Sequence, residues 1–363
     1  MTDNKIGIIY DDIFTLKHTP PYPKPTFIAF EHPTRIRVML EVLKREQIFK
    51  NQRILKIIPP RIEDNILELA HSKFHIDAIR RISEGGGGII DDEVFVAPDT
   101  FEVSKMAVSG AITAVEKVVS KEINQSIALI RPPGHHAFRN KSSGLCIFNN
   151  IALSILYLRQ QRNFSGKIAI LDIDDHFGDG LAHYFYEDPS VLYISIHEYD
   201  FSQVDVGFIN ELGAGDGIGT NINIPVPEGI STDEFLELID FVEPILREYA
   251  PSMLIIATGF DTYFADPIGN GNLTSEAFFD FSKKIMNIAD QLCEGKIAFI
   301  LEGGYSIIGL QYCILGLIKG LLNESYSSPS FEYLRRNEQS NFNNLEKIKK
   351  ALIQMIKPYW NCF

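Results

Sequence analysis

"LDIDDHFGDG", residues 171–180, sets four aspartates and a histidine at the end of the apolar run "KIAIL". A short β-rich apolar run of this kind reads as a core strand. Charge at its end needs a purpose, because unpaired carboxylates in a partly buried site raise their pKa or destabilise the fold. In an extended segment residues two apart face the same side, which predicts that Asp172, Asp174 and His176 project together. A divalent cation would use that charge and orient the imidazole; the competing reading is a helix-capping loop with salt bridges to basic residues.

Similar runs recur along the chain: "KIGIIY", "RILKII", "SIALI", "VLYISIH", "SMLIIATG" and "KIAFILEGG", each separated from the next by longer amphipathic or loop segments. That order predicts an α/β fold, a mostly parallel central sheet of about eight strands with helices on both faces. The clearest helical period follows Thr274, where Phe278, Phe281, Ile285, Ile288 and Leu292 step by three and four before Gly295 closes the segment. This stripe reads as core. "EGGGG" at 84–88 and "SYSSPS" at 325–330 are loop signals, and no internal repeat is visible. The expected organisation is therefore one large domain over residues 1–363.

Composition narrows the function classes. At 45% hydrophobic and 22% charged, the chain has the make-up of a soluble globular protein with a sizeable core. It holds no stretch of eighteen apolar residues, and "MTDNKIGIIYDD" lacks the regions of a secretory signal, so the expectation is a cytoplasmic protein with no membrane partner. A formal net charge of −13 argues against direct nucleic-acid binding. Cys146, Cys293, Cys313 and Cys362 lie far apart with no metal-finger or redox spacing, and read as reduced thiols.

In open α/β sheets, ligands bind at the carboxyl ends of the strands. "DIDDHFGDG", "GFDTYFADP" and "EGGY" each follow a strand-like run there. Asp261 in the second and Tyr305 in the third, the latter behind two glycines that allow close backbone approach, are ordinary features alone. Together with Asp174 and His176, Asp261 makes two carboxylates and one imidazole with a fourth position open, a catalytic rather than a structural zinc pattern. "RPPGHHAF" supplies proton chemistry, because Pro132, Pro133 and Gly134 fix a turn that presents His135 and His136. The weight lies in the combination, in order, on successive strand ends.

These residues closely resemble the zinc-dependent deacetylases, the histone deacetylase and acetylpolyamine amidohydrolase family of the arginase-deacetylase fold. The hallmarks stand here as "RPPGHHA", "GLCIFNN", "DIDDHFGDG", "SIH", "GFDTYFADPIGNGNLT" and "LEGGY", with weaker likeness through "LELAHSKFHIDAIRRIS", "VAPDTFEVSKMAVSGAITAVEKV" and the final "LIQMIKPYW". The resemblance implies one catalytic Zn²⁺ per chain, with Fe²⁺ as the alternative metal, held by Asp174, His176 and Asp261. It implies His136 as general base and then acid, and His135 as its electrostatic partner. Asp172 would orient His135, and Asp179 would orient His136. Tyr305 would donate its hydroxyl to the polarised carbonyl, and the Gly144 carbonyl would accept from the substrate amide. A structural K⁺ would sit on Asp172, Asp174, His176, Ser195 and the carbonyl of Ile196. Arg35 in "TRIRV" resembles an internal-channel arginine that attracts acetate; Arg37 and a plain surface salt bridge are the competing readings. The implied substrate is an acylated lysine, foremost acetylated, or a related small acylated amine such as an acetylpolyamine.

The chain also departs from the family pattern. Phe177 stands where many members have a second histidine, and Leu145 where a tunnel phenylalanine is usual, which would exchange a flat wall for a flexible aliphatic one. The loop "HEYDFSQVDVGFINELGAGDGIG" lacks the usual proline-glycine-threonine-glycine run, leaving Phe201 as the candidate for the opposite wall. Ile268 falls where eukaryotic polyamine-selective relatives carry an acidic gatekeeper. Glu93 aligns with a rim position that grips substrate backbone amides, or meets an ammonium, or is simply solvated. His71 and His75, at i and i+4 without a completing acid, read as structural, and His197 as packing near the site.

Two readings from other classes compete. A binuclear manganese ureohydrolase needs bridging carboxylates two residues beyond these ligands, but Gly178 and Tyr263 stand there. An inactive acyl-lysine-binding module could dispense with His136 and Tyr305, yet both are present.

Overall fold

β-branched runs bounded by turn residues become strands, and the periodic segments between them become helices. The computed structural model describes residues 4–21, 27–333 and 342–363. The strands are β1 (Ile6–Ile9), β2 (Ile54–Ile57), β3 (Gly88–Asp91), β4 (Val94–Val96), β5 (Gln125–Ala128), β6 (Ile168–Asp172), β7 (Val191–Glu198), β8 (Asn221–Val226), β9 (Met253–Thr258) and β10 (Ile297–Leu301). The α-helices are α1 (Ile13–Leu16), α2 (Thr34–Arg45), α3 (Lys73–Glu84), α4 (Thr100–Val119), α5 (Asn150–Arg162), α6 (Asp179–Phe185), α7 (Thr232–Tyr249), α8 (Ser275–Cys293), α9 (Ile307–Leu322) and α10 (Phe342–Ile356). None of these is long and apolar enough to cross a membrane.

Two compact units divide the chain, each discontinuous in sequence. The first is Met1–Ser165 with Gly178–Tyr184 and Ala298–Glu302. Within it β1 pairs in parallel with β2 on one side and β5 on the other, and β3 and β4 form a separate antiparallel hairpin. The second is Gly166–Phe177 with Phe185–Ile297 and Gly303–Phe363. Within it β6 lies in parallel between β9 and β7, and β8 runs along β7. Among the described residues there are, apart from the hairpin, eight sheet strands, the α/β class and strand number that the alternation predicts.

All seven apolar runs are strands, but β8 is one that the pattern does not announce. Its "NINIPV" carries two asparagines and a proline, which read as loop. The proline is tolerated because β8 lies at a sheet edge, with Pro225 opposite His197. Its Asn221 and Asn223 amides donate to the carbonyls of Glu211 and Phe208, so these buried N–H donors are satisfied by the neighbouring loop. α8 matches its expected stripe, with Phe278, Phe281, Ile285 and Ile288 buried. It stops through two left-handed residues, Glu294 (φ 57°) and then Gly295 (φ 72°), rather than the glycine alone.

In the first unit, Leu67, Ile76, Phe101, Val108, Phe148 and Leu153 belong to one apolar core. His71 and His75 pack on Phe148 and are structural, as expected. His71 Nε2 accepts from Asn149 N at 2.9 Å while Nδ1 faces Phe138 O at 3.0 Å, and burial drives its pKa down to about 3. A neutral imidazole bridging two backbone groups is the result.

The sequence pattern gives no sign of a buried ion cluster beside this core. Arg131, the first residue of the "RPPGHH" turn, meets Glu31 through Nε at 2.8 Å and Nη2 at 2.5 Å. Arg35 Nη1 and His18 Nε2 each approach the same carboxylate at 3.2 Å, and all four residues are buried. Burial pushes the Glu31 carboxyl up, but Arg131, His18 and Arg35 outweigh it and hold it well below the usual carboxylate range. Removing one partner of such a cluster strands buried charge. Glu31→Ala should therefore lower unfolding free energy by about 3–5 kcal/mol in urea titrations. Because the folded pKa lies below the unfolded value of about 4.3, the stabilisation is complete above that pH and is lost as the pH falls beneath it. Wild type should thus lose stability more steeply than Glu31→Gln between about pH 5 and pH 2; parallel profiles would contradict this account.

Candidate active site

In the second unit, β6 carries its apolar residues to Asp172 and then leaves the extended conformation. The expectation that strand alternation would project Asp172, Asp174 and His176 together is corrected here, because the strand ends at Asp172 and residues 174–176 form a bend. Side chains replace the ladder: Asp172 Oδ1 accepts from Asp174 N at 3.2 Å, and Asp174 Oδ1 accepts from His176 N at 3.0 Å. Two successive aspartate-capped turns therefore set the bend. Tyr193 on β7 donates its hydroxyl to Asp172 Oδ2 at 2.9 Å, which anchors the start of the bend.

The bend nevertheless gathers the expected ligand set. Donor atoms of Asp174, His176 and Asp261 all lie within 4.8 Å of one another. His176 Nδ1 is 3.2 Å from Asp174 Oδ1 and 3.4 Å from Asp261 Oδ2. Both carboxylates are 1% exposed. Backbone donors steer them: Gly303 N to Asp174 Oδ2 at 2.8 Å, and Asp175 N to Asp261 Oδ1 at 3.0 Å. Glycine is required at 259 and 303, because a Cβ at either would overlap the Asp174 carboxylate, and at 303 also Asp261 Oδ2.

Electrostatics point the same way. Burial raises the Asp261 pKa, and the charge of Asp174 raises it further. Burial depresses the His176 imidazolium, but hydrogen bonds and charge from Asp174 and Asp261 outweigh it and hold the pKa well above the ordinary value. Two buried carboxylates thus draw positive charge to one point, and two oxygens with one nitrogen suit a zinc-type divalent ion. The residues present fit such a metal.

Neighbouring residues of this unit fall into supporting positions. Ser195 on β7 stands in register opposite Asp172, followed by Ile196. Ser195 Oγ lies 2.8 Å from His197 Nδ1, and His197 Nε2 lies 2.9 Å from Gly207 O. His197 is therefore a packing residue, as expected, with Phe177 against its ring at 4.9 Å. Phe177, the departure from a histidine, is thus part of an aromatic contact. Asp175, given no role by its sequence position, is buried and accepts from Asn270 N at 2.7 Å. Burial, with the charge of Asp261, pushes its pKa up to about 8. Tyr305 is 7% exposed, and its N donates to Asp266 Oδ2 at 2.6 Å. Ile268 N donates to Asp266 Oδ1 at 3.0 Å. Phe201 is half exposed and packs on Tyr199.

In the first unit, the "PPGHH" turn is held by Glu302, the residue after β10. Its Oε2 accepts from Gly134 N at 2.6 Å and His135 N at 3.1 Å. His135 O in turn accepts from Leu181 N at 2.7 Å. His136 Nδ1 lies 2.8 Å from Asp179 Oδ1 at the start of α6. Burial raises the Asp179 pKa, but the His136 hydrogen bond and charge outweigh it and keep the pKa low. An ionised Asp179 fixes Nδ1 as the donor and leaves Nε2 for proton transfer. The expected pairing of His136 with Asp179 is thus in place.

Gly144 packs against the His136 ring so closely that a Cβ would sit 2.7 Å from its Cγ, and its φ is +50°. Leu145 follows in the left-handed region at φ +66° and is 3% exposed, so the aliphatic replacement is a buried side chain. Glu93, exposed, holds this turn: its Oε2 accepts from Gly144 N and its carbonyl from Leu145 N, both at 3.1 Å. Cys146 Sγ donates to Gly144 O at 3.4 Å. Arg35 is fully buried, with Nη2 donating to Glu302 O at 2.5 Å, whereas Arg37 is exposed. The surface salt bridge considered for Arg35 is corrected to a buried one, since its partner Glu31 is also enclosed.

Residues 29–321 match the family model described as histone deacetylase domain. A probable deacetylase of Archaeoglobus fulgidus is 33% identical over 98% of this chain and 99% of its own length. The polyamine deacetylase HDAC10 of Danio rerio is 29% identical over 92% of this chain, which spans only 49% of that longer protein. A crystal structure described as the HDA15 HD domain aligns with a TM-score of 0.85 at 24% identity, covering 99% of this chain and 96% of that one, and shows the same fold. With the family model spanning most of its length and the archaeal relative matching end to end, the chain belongs to the histone deacetylase family and is a deacylase, a hydrolase of amide bonds.

Proposed function

We propose that the chain is a zinc-dependent deacylase that removes an N-acyl group, foremost acetyl, from a lysine side chain or a related amine. The observation that carries this reading is the convergence of Asp174, His176 and Asp261, two oxygen donors and one nitrogen donor within 4.8 Å. When bound there, Zn²⁺ would polarise the substrate carbonyl and lower the pKa of water to about 7. An amide needs both effects, being a poor electrophile with a poor leaving group.

The chain's own residues supply the rest. His136, with Nδ1 committed to Asp179, takes a proton from water at Nε2 and returns one to the departing amine, a role worth roughly 10² to 10⁴ in rate. His135, its backbone gripped by Glu302, acts as the electrostatic partner. The Tyr305 hydroxyl donates to the developing oxyanion. The Gly144 carbonyl accepts from the substrate N–H, and Leu145 and Ile268 border the acyl-bearing chain. Arg35 draws the acetate product inward. Asp172, Asp174, His176, Ser195 and the Ile196 carbonyl would hold K⁺, a reading supported by the register of Ser195 opposite Asp172. A single catalytic metal is favoured, since Tyr263 is buried with its hydroxyl given to Glu332 at 2.9 Å and cannot serve as a bridging ligand.

An acetylpolyamine is the second substrate reading, favoured by the relative named as a polyamine deacetylase. Apolar Ile268 weighs against an acidic gatekeeper at that position. A panel of acetyl-lysine peptides, longer acyl-lysines, acetylpolyamines and small amides separates the two by kcat/KM. A zinc-loaded chain inert on all of them is a binding module, and two Mn²⁺ per chain with urea release assigns a ureohydrolase. Metal analysis should find one Zn²⁺ per chain in the wild type. Gly303→Ala should lose it, because the added methyl has no room beside Asp174 and Asp261. Tyr305→Phe should keep the metal and lower kcat by on the order of 10² to 10³; a smaller than tenfold effect would remove the tyrosine from the mechanism.

A further inference from the structure

We propose that Asp266 is the positioning residue for Tyr305, one carboxylate that ties the tyrosine's backbone to the turn carrying Ile268. The proposal rests on the amidohydrolase reading of the site. Asp266 Oδ2 accepts from Tyr305 N at 2.6 Å and Ser306 N at 2.8 Å. Its Oδ1 accepts from Ile268 N at 3.0 Å and Gly269 N at 3.3 Å. Four backbone donors on two separate segments thus converge on one side chain.

The arrangement answers a local problem. Tyr305 follows Gly303 and Gly304, the latter at φ +105°, and a glycine pair does little to specify the direction of the residue after it. On its other side, Ser306 caps α9 by accepting from Gly309 N at 3.1 Å. The Asp266 carboxyl group fixes the peptide between these two features, because one of its oxygens accepts from two successive backbone N–H groups. The tyrosine is therefore set by a group remote in sequence.

The second pair of hydrogen bonds extends the coupling. Asp266–Pro267–Ile268–Gly269 is an aspartate-capped turn, and the next residue, Asn270, is held by Asp175 through its N–H at 2.7 Å. Asp175 N in turn donates to the ligand residue Asp261 at 3.0 Å. The turn bearing Ile268 is fastened at one end to the metal-ligand bend and at the other to Tyr305. Substrate contact at Ile268, the oxyanion donor and a metal ligand consequently share one backbone frame. A shift of about 1 Å in such a frame can cost about 10² in rate.

The test is a double-mutant cycle on the full chain, with Asp266→Ala and Asp266→Asn each made in wild-type and Tyr305→Phe backgrounds. Bound zinc and thermal unfolding are measured for every variant. Asp266→Ala should lower kcat by about 10² with KM changed less than about threefold. Asp266→Asn should lose less, because its amide oxygen can still accept from one pair of N–H groups. In the Tyr305→Phe background either substitution should cost less than about threefold, the group it positions being gone. Amide hydrogen exchange at Ile268, Gly269, Tyr305 and Ser306 should speed up in Asp266→Asn, a readout independent of turnover. Equal losses in both backgrounds, or unchanged turnover per bound metal, would overturn the assignment. If Asp266→Ala does not fold, Asp266→Asn completes the cycle. A wild type inert on the amide panel sinks the hydrolase reading itself, whereas an active wild type with additive losses sinks only the role of Asp266.

Discussion

Two carboxylates buried beside each other, Asp174 and Asp261, impose the constraint on which the second unit's local structure depends. Each ionised group costs several kcal/mol to enclose unless positive charge and hydrogen-bond donors surround it. The chain answers with Gly303 N on one carboxylate, Asp175 N on the other, and the His176 imidazole close to both. Glycine at 259 and 303 follows from the same crowding, since the backbone must come close enough to leave no room for a Cβ. A proton on His176 and a divalent cation are alternative ways of supplying the positive charge that this cluster demands.

Carboxylates recur as backbone anchors elsewhere. Glu302 grips the amides of Gly134 and His135, Glu93 the amide of Gly144, Asp266 those of Tyr305 and Ile268, and Asp175 that of Asn270. Reactive groups on loops need this, because loops are intrinsically the least ordered parts of a fold. A carboxylate can accept several N–H donors at once, so a single side chain fixes two turns where packing alone would leave them loose. Part of the chain's acidic bias is therefore internal scaffolding and says nothing about the charge of its partners.

Some of these features were legible in advance and others were not, for definite reasons. The strand runs, the α8 stripe and the Asp174, His176 and Asp261 set follow from residue type and spacing. The "STDE" opening of α7, where Ser231 and Glu234 exchange hydrogen bonds, carries a local signature of the same kind. Asp175, Asp266 and Glu302 stand within or beside recognisable motifs but have no distinguishing pattern, because what they bind is backbone, which every residue shares. Glu31 shows the same limit: nothing in "FEHPTRIRV" says that its partner is Arg131, one hundred residues away. β8 escaped because its asparagines satisfy a particular loop, a tertiary fact that overrides their preference for turns.

By itself the sequence determined seven of the sheet strands, that strands alternate with helices, and which residue types with metal and proton chemistry stand at the strand ends. These depend on apolar periodicity and on functional groups close in sequence, both of which are local properties. Only the tertiary structure decided how those groups are aimed. Asp174 and His176 converge through capped turns and not through strand alternation; Leu145 sits at a positive φ; Arg35 is enclosed against Glu31. The physical reason is that direction within a loop is set by hydrogen bonds between residues distant along the chain, and such bonds exist only once folding has brought donor and acceptor together.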